Sequence, residues 1–566
     1  MNSFCLLVIA CIIFYAAYAT YGKFIATRIF KVDMKAVCPS EQLKDDVDFV
    51  PTNKFILFGH HFTSIAGLGP IVGPAIGVIW GWVPAFMWIL FGSIFMGAIH
   101  DFGSLVISLR HEGKSIGDVS AGIINRRVRL LFLLLIFFTV LIVIAIFALI
   151  IALMFKMYPE AIIPVFTQIP IAIILGHCIY RRKMDPLVGG ILAVIAMYIT
   201  IVIGAYVPVI LPAVAGIDPL IIWIVILLIY AYIASTLPVQ FLLQPRDYIN
   251  SYQLIIAMIL LFVGIMIAHP SMEAPAIAWD PQGAPPMIPS IFVVIACGAI
   301  SGFHSLVSSG TSSKQCDNEK NALFVSYGSM LTEGILAILV ILAIAAGLGM
   351  GLTTEAGTRL YGLNAFSHQY VDWNAANGLS AKLGAFVTGA TNIIRVLGIP
   401  AFIIKAILGV FLVSFAATTL DSATRIQRYV VTEIALSCKW RKLSHKHVAT
   451  LIAVISAFVL AFCNGSGKGA LILWPLFGTV NQLLAGLSLF VITIYLHAKK
   501  INYWYALIPM VFMLFITGWA MLYNLQKFYA QGDWLLASIG IIISVLELWM
   551  VVEGILIFAR ASRLRS

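Results

Sequence analysis

Histidines set beside hydroxyls and carboxylates within apolar sequence are the residues of this 566-residue chain whose types and spacing suit chemistry. Gly59-His60-His61-Phe62-Thr63-Ser64 opens one such run, His100-Asp101 makes a second and Gly302-Phe303-His304-Ser305 a third. Ionisable groups at membrane depth are costly and are a functional hypothesis by default. His60, His61, His100 and Asp101 offer the nitrogen and oxygen donors of a transition-metal site, zinc for example, although no HExxH-type spacing accompanies them. A proton relay fits the same residues because imidazole titrates near neutrality, and so does a structural role in hydrogen bonding. Glu333 interrupts another apolar run. Asp421 and Arg425 are one helical turn apart, a spacing for an ion pair that holds helices together or gates a path. Thr418 and Thr419 beside them carry hydroxyl oxygens suited to a sodium ion, and Asn481 follows Trp474-Pro475-Leu476-Phe477-Gly478-Thr479. Arg246 and Asp247 fall in a loop between apolar runs, where they close an inner gate or solvate a turn.

Something must hold these groups away from water. Hydrophobic residues make up 61% of the chain and charged residues only 10%, against roughly 25% charged in soluble domains. The bilayer must therefore be the solvent for most of it. Apolar stretches long enough to span occur at about 3–22, 56–80, 82–109, 128–156, 162–180, 186–208, 218–237, 251–269, 288–311, 321–350, 398–436, 447–463, 470–497, 503–524 and 535–559. The first lacks the basic flank and cleavage site of a signal peptide and reads as a retained helix. The net charge of +11 is carried by short loops between apolar runs, which is topology information and not a nucleic-acid surface. With the N-terminus outside, the basic loops around Lys23–Lys54, Arg110–Arg129, Arg181–Lys183 and Lys439–Lys446 and the tail Arg560, Arg563 and Arg565 all lie inside. The loop 269–287, without Lys or Arg, then lies outside, as does 353–396, whose part 378–396 reads as an amphipathic surface or re-entrant helix. Eight cysteines show no CxxC spacing, so neither a disulfide framework nor a zinc ribbon is expected. No Walker A pattern is present, which argues against ATP as the energy source.

Two of these stretches are poor ordinary helices. Gly67-Leu68-Gly69-Pro70-Ile71-Val72-Gly73-Pro74 and the glycine- and hydroxyl-rich Gly298–Thr311 should each interrupt the backbone hydrogen-bond ladder. Both carry the frame G-x-H-x5-G, as Gly59, His61, Gly67 and Gly302, His304, Gly310, and alternation gives them opposite directions across the bilayer. That is the pattern of an inverted-repeat secondary transporter, with its substrate between discontinuous helices. Unwound backbone at membrane depth survives only where it lines protein or a water-filled cavity. The plainer reading is that the glycines let helices pack closely.

The runs Gly59–Gly67, Leu243-Gln244-Pro245-Arg246-Asp247-Tyr248, Gly298–His304, Thr419–Arg425 and Trp474–Leu483 resemble, in colinear order over most of the chain, the carbon starvation protein A (CstA) family. The resemblance implies a multi-pass protein of the bacterial inner membrane, N-terminus periplasmic and C-terminus cytoplasmic. It implies uptake of peptides or, for some members, pyruvate. It also implies an all-α, LeuT-like inverted-repeat core at 56–497, with a peripheral helix and loop at 1–55, two more helices and the basic tail at 498–566, and about fifteen spans. Ser305–Gly310 is richer in hydroxyls than the family pattern. The expected mechanism is alternating access driven by a proton or sodium ion, without enzymatic chemistry. A peptide, amino acid or pyruvate would bind at Ser64, Gly67, Gly69, Gly302, His304, Ser305, Ser308 and Ser309. Coupling and gating would fall to His61, Asp101, Arg246, Asp247, Glu333, Thr418, Thr419, Asp421, Arg425 and Asn481. The partners are that solute and membrane lipid. The rival readings are an intramembrane metal-dependent hydrolase and a nutrient sensor on a transporter fold.

Overall fold

A computed structural model describes residues 2–213 and 216–563, with side chains to 556; Arg565 lies outside the described residues. All fifteen apolar stretches are helical. They are α1 (Ser3–Ile29), the pair α2a (Lys54–Ala66) and α2b (Gly69–Trp80), α3 (Trp82–Leu109), α4 (Arg126–Met157), α5 (Pro159–Tyr180), α6 (Pro186–Tyr206), α7 (Pro219–Thr236) and α8 (Leu243–Ala268). There follow the pair α9a (Met287–Val294) and α9b (Gly302–Gly310), α10 (Glu319–Met350), α11 (Ala401–Ser437), α12 (Lys446–Phe462), α13 (Trp474–Ala498), α14 (Trp504–Gln531) and α15 (Trp534–Leu556). Twelve are single helices long and apolar enough to cross a membrane, and the bent α2 pair makes thirteen. The only sheet among the described residues is the antiparallel pairing of Leu352–Thr353 with Arg359–Leu360.

Local chemistry sets many of the ends. Asn53, Asn125, Asp185 and Asp218 cap the starts of α2a, α4, α6 and α7 with their side-chain oxygens, and proline follows directly after the two aspartates, where its missing N–H costs nothing. At 37 residues and 1.5 Å per residue, α11 is about 55 Å long, so one end must project from a hydrocarbon layer of about 30 Å. The basic loop after it accounts for that projection.

Burial separates core from rim. The most apolar stretch of α13 is fully enclosed and that of α10 nearly so, whereas α1, α5, α6 and α15 keep most of theirs at the surface. Ile191, Leu192, Ile195 and Ile199 on α6, and Ile508, Val511, Phe515 and Leu522 on α14, are exposed. Such continuous apolar faces have lipid as their natural solvent.

Both interruptions exist, but each lies elsewhere than the glycine content suggests. In α2 the ladder breaks only at Gly67 and Leu68: Gly67 takes φ +46° and ψ −142°, and the two halves meet at 42°. Gly69-Pro70 already begins α2b, where proline is tolerated, and Gly73 and Pro74 are helical. In α9 the unwound piece is 295–301, with Gly298 at φ +88°, while Gly302–Gly310 is itself the helix. The shared G-x-H-x5-G frame therefore does not superimpose the breaks, since Gly67 is at one and Gly310 ends a helix beyond the other.

Candidate functional site

The two breaks touch. A Cβ on Gly69 would come within 2.3 Å of Cys297 Sγ, and one on Gly73 within 2.6 Å of the Val294 carbonyl oxygen, so glycine is what allows α2b to lie against the unwound segment. Gly67, at positive φ, lies where a Cβ would be 2.5 Å from Thr419 Oγ1 of α11. Between the breaks opens a cavity of about 360 Å³, within the range of small-ligand sites. Gly67, Leu68 and Gly69 line it from α2, Ala296, Cys297 and Ser301 from the other break, Thr419 from α11 and Asn481 from α13. Asn481 Oδ1 accepts the Phe303 N–H at 2.9 Å, and its Nδ2 donates to Ser301 Oγ at 3.0 Å, so α13 pins the start of α9b.

Of the residues expected to bind substrate, Gly67 and Gly69 line this cavity and the others do not. Ser64 is paired with Ser422 Oγ at 2.9 Å. Ser305 bonds the Gly302 carbonyl and Ser488, both at 2.8 Å, and Ser309 bonds the Ser305 carbonyl at 2.6 Å. Ser308 is buried without a hydrogen-bond partner. A Cβ on Gly302 would meet the Asn481 carbonyl oxygen at 2.2 Å; that glycine serves helix packing. Apart from Ser308, the hydroxyls of α9b therefore satisfy backbone carbonyls and neighbouring helices, as hydroxyls on a buried helix do.

Behind the cavity wall lies a carboxylate–histidine chain, every member inaccessible to solvent. Asp101 Oδ1 faces His100 Nδ1 at 2.7 Å and its Oδ2 faces His304 Nδ1 at 3.1 Å. On the other edge of the imidazole, His304 Nε2 lies 3.5 Å from Glu333 Oε2. Glu333 Oε1 accepts the Gly298 N–H at 2.9 Å, which ties the chain to the unwound segment. Cys297 joins it too, since its Sγ, a His304 ring nitrogen and a Glu333 oxygen lie within 4.8 Å of one another. The metal set expected from sequence, His60, His61, His100 and Asp101, forms no such group among the described residues. His61 Nδ1 faces Ser312 Oγ at 2.7 Å, and His60 turns away to Asp247 Oδ2 at 2.6 Å. A thiol, an imidazole and a carboxylate are a chemically acceptable donor set for a transition metal, and the two facing atoms, His304 Nε2 and Glu333 Oε2, have no hydrogen-bond partner.

A second buried network surrounds Arg246. It binds Asp421 Oδ2 at 2.5 Å, the Tyr230 hydroxyl and Thr418 Oγ1 at 2.9 Å, with Asp247 Oδ1 at 3.8 Å. Arg246 and Asp247 are thus not in a solvated loop: they occupy the first turns of α8 and are buried. The Asp421–Arg425 pair expected within α11 is not made, because Asp421 is held by Arg246 and Tyr230 and Arg425 reaches Asp48. The Thr418 hydroxyl accepts from Arg246 and Asn250, and a sodium ion there would sit against a guanidinium. Thr419 lines the cavity, its hydroxyl donating to the Phe415 carbonyl at 3.2 Å.

A third cluster is centred on Asp48. Asp48, in the segment before α2a, takes Arg425 Nη1 at 2.7 Å and Arg428 Nη2 at 2.8 Å on one oxygen. Burial alone would raise the Asp48 carboxyl, but the two guanidinium groups outweigh it and hold it well below the usual carboxylate range. The segment also pairs with the backbone after α9b, Val50 N–H to the Lys314 carbonyl at 3.1 Å and Thr52 N–H to that of Gln315 at 3.0 Å. The cavity is also lined by Trp373, Asn377 and Lys382 from the 353–396 segment and Lys527 from α14. Sequence reasoning passed over Asp48, Tyr230, Cys297, Ser301 and Lys382. Of these, Cys297 and Ser301, which flank a positive-φ glycine in a glycine-rich run, carried a visible signal.

A model of the family described as carbon starvation protein CstA matches residues 2–520. The peptide transporter CstA of Campylobacter jejuni is 32% identical over 93% of this chain and 81% of its own length. The pyruvate/proton symporter BtsT of Escherichia coli is 31% identical over 90% and 80%, and the peptide transporter CstA of Bacillus subtilis 28% over 99% and 96%. Among solved structures, a manganese transporter mutant of Eremococcus coleocola aligns with a TM-score of 0.48 at 11% identity, covering 90% of this chain and 99% of that one.

Proposed function

The chain belongs to the carbon starvation protein CstA family, and we propose that it is a proton-coupled secondary transporter importing pyruvate or short peptides across a bacterial inner membrane by alternating access. The observation that carries this reading is the physical contact between a cavity and a buried chain of carboxylates and imidazoles. The segment 295–301 lines the cavity with Cys297 and Ser301 and gives its Gly298 N–H to Glu333.

The chemistry follows from the hydrogen bonds. With the His304 Nδ1–H donating to Asp101, Nε2 presents a lone pair to Glu333. One proton can then reside on the Glu333 carboxyl or on the imidazole with little movement of either. When the proton leaves, carboxylate and lone pair face each other, and Glu333 becomes a stronger acceptor for Gly298. The loss therefore acts on the unwound segment that also holds the solute. Two-state coupling requires a differential interaction of this kind. Rocking would be carried by α2, α9 and α11. The sidedness rests on the basic loops: it makes the Asp48 clamp cytoplasmic and the Lys382 end periplasmic, so the conformation is closed inward and accessible from outside.

Proteoliposomes carrying the purified protein provide the test. Labelled pyruvate or dialanine should accumulate when the lumen is alkaline and fail to do so after a protonophore. Glu333→Gln should abolish accumulation and preserve exchange of labelled for unlabelled substrate. Hydrolysis without accumulation would make the protein an enzyme, and binding without flux a sensor; either overturns the proposal.

A further inference from the structure

We infer that Lys382 is the carboxylate-recognising group of the cavity, a binding role resting on the transport reading above. The amphipathic helix that carries it, Leu379–Arg395, is fixed over the cavity from its far end. Asn392 Nδ2 donates to the carbonyls of Gly347 and Gly351 at 3.0 and 2.7 Å, and Gly389 lies so close to α10 that a Cβ would stand 1.9 Å from the Ala343 carbonyl oxygen.

Lys382 is 6% exposed and lines the cavity. Its backbone N–H donates to the Gly378 carbonyl at 3.0 Å, but among the described residues its ammonium has no hydrogen bond, ion pair or ring contact. Every other buried Asp, Glu, Lys or Arg among them has one: Asp101, Arg246, Asp247, Glu319, Glu333, Asp421, Arg425 and Arg428 are in ion pairs, and the Lys314 ammonium sits 3.3 Å from the centre of the Tyr429 ring. A buried charge without a partner is expensive, and burial alone accounts for the lowering of the Lys382 ammonium to about 8. The expense is offset when an anion enters. The cavity lining holds no Asp or Glu, and its only other cation, Lys527, is exposed at the rim. Asn377, Ser301 and Thr419 supply neutral polar groups around an otherwise largely apolar wall. Such a cavity suits one carboxylate with an uncharged remainder, as in pyruvate; a free peptide shares the carboxylate but adds an ammonium, for which the lining holds no Asp or Glu.

The two sources separate in a binding assay that does not require transport. Thermal shifts of the detergent-purified full chain would be measured with pyruvate, pyruvamide, dialanine and dialanine amide. Wild type should be stabilised at least tenfold more effectively, by concentration, by an acid than by its amide. The acid that works identifies the source. Lys382→Met should weaken acid binding ten- to a hundredfold, the usual worth of a charge-assisted hydrogen bond, and erase the preference, whereas Lys382→Arg should keep it. Without any variant, the bound acid should protect Lys382 from amine acetylation, read by peptide mass. Equal shifts from acid and amide, an unchanged preference in Lys382→Met, or acetylation indifferent to ligand would each overturn the inference. Loss of proton-driven accumulation with the acid preference intact would instead overturn only the transport reading.

Discussion

At the scale of single residues, Gly67 illustrates how little freedom the site allows. Its φ of +46° with ψ −142° belongs to backbone that other residues reach only under strain of order 1–3 kcal/mol, and a side chain would also meet Thr419. Gly67→Ala should fold, lower the melting temperature, and cut transport more than tenfold; a variant with wild-type uptake would show the break to be dispensable. Lys382 gives a prediction with a definite sign. Below about pH 8 its ammonium is charged, and above it the empty site holds a neutral amine, so pyruvate affinity should fall by up to tenfold per pH unit beyond 8. Lys527, Tyr523 and Cys297, the other ionisable groups lining the cavity, are common to wild type and Lys382→Arg, so a flat profile in that variant isolates the lysine; parallel profiles would refute the assignment. Gly67, His304, Glu333 and Asn481 stand out in sequence because each is anomalous in its apolar surroundings, although His304, expected against the solute, does not line the cavity. Lys382 was not, since a lysine on an amphipathic segment is ordinary until its partners can be counted.

At the scale of elements, the informative contacts join segments far apart in the chain, which is why spacing misassigned them. Asp421 and Arg425 have helical spacing, yet Asp421 is taken by α8 and Arg425 by Asp48. A local rule worth about 0.2–0.5 kcal/mol per pair yields to buried tertiary pairing. Breaking a buried ion pair by removing one partner costs about 3–5 kcal/mol. Asp48→Asn strands two guanidinium groups at once, so a marked fall in melting temperature is expected, along with faster reaction of a cysteine placed at Ser422 with an impermeant maleimide. Melting and labelling both unchanged would mean that the clamp closes nothing. The same clamp cannot sense pH. With its carboxyl held below the usual range by two arginines, Asp48 stays ionised across physiological pH, its stabilising contribution present above the unfolded carboxyl's pKa near 4 and lost only as pH falls through the lowered value. Asp48 is therefore not the proton site of the proposed coupling.

At the scale of the whole molecule, helical class and the location of all fifteen apolar segments were legible because hydrocarbon imposes a length and a composition on whatever crosses it. The placement of the breaks was not, because glycine and proline permit an interruption without deciding where tertiary contacts draw it. Direction across the membrane is written in charge alone. Lys439, Arg441, Lys442 and Lys446 follow α11, whereas 269–286 before α9a carries no lysine or arginine. On the positive-inside rule, we propose that the Asp48 clamp is cytoplasmic and the Lys382 mouth lies on the far side. Two single cysteines decide this. In intact cells an impermeant maleimide should label Gln282→Cys and leave Lys442→Cys unlabelled, and only after permeabilisation should the second react. Uptake then requires that solute meet the Lys382 cavity before any conformational change, so pyruvate added outside should slow acetylation of Lys382 from that face. Labelling with the opposite sidedness would leave the cavity open to the cytoplasm, and the same geometry would then describe an inward-facing state with the Asp48 clamp as its outer seal.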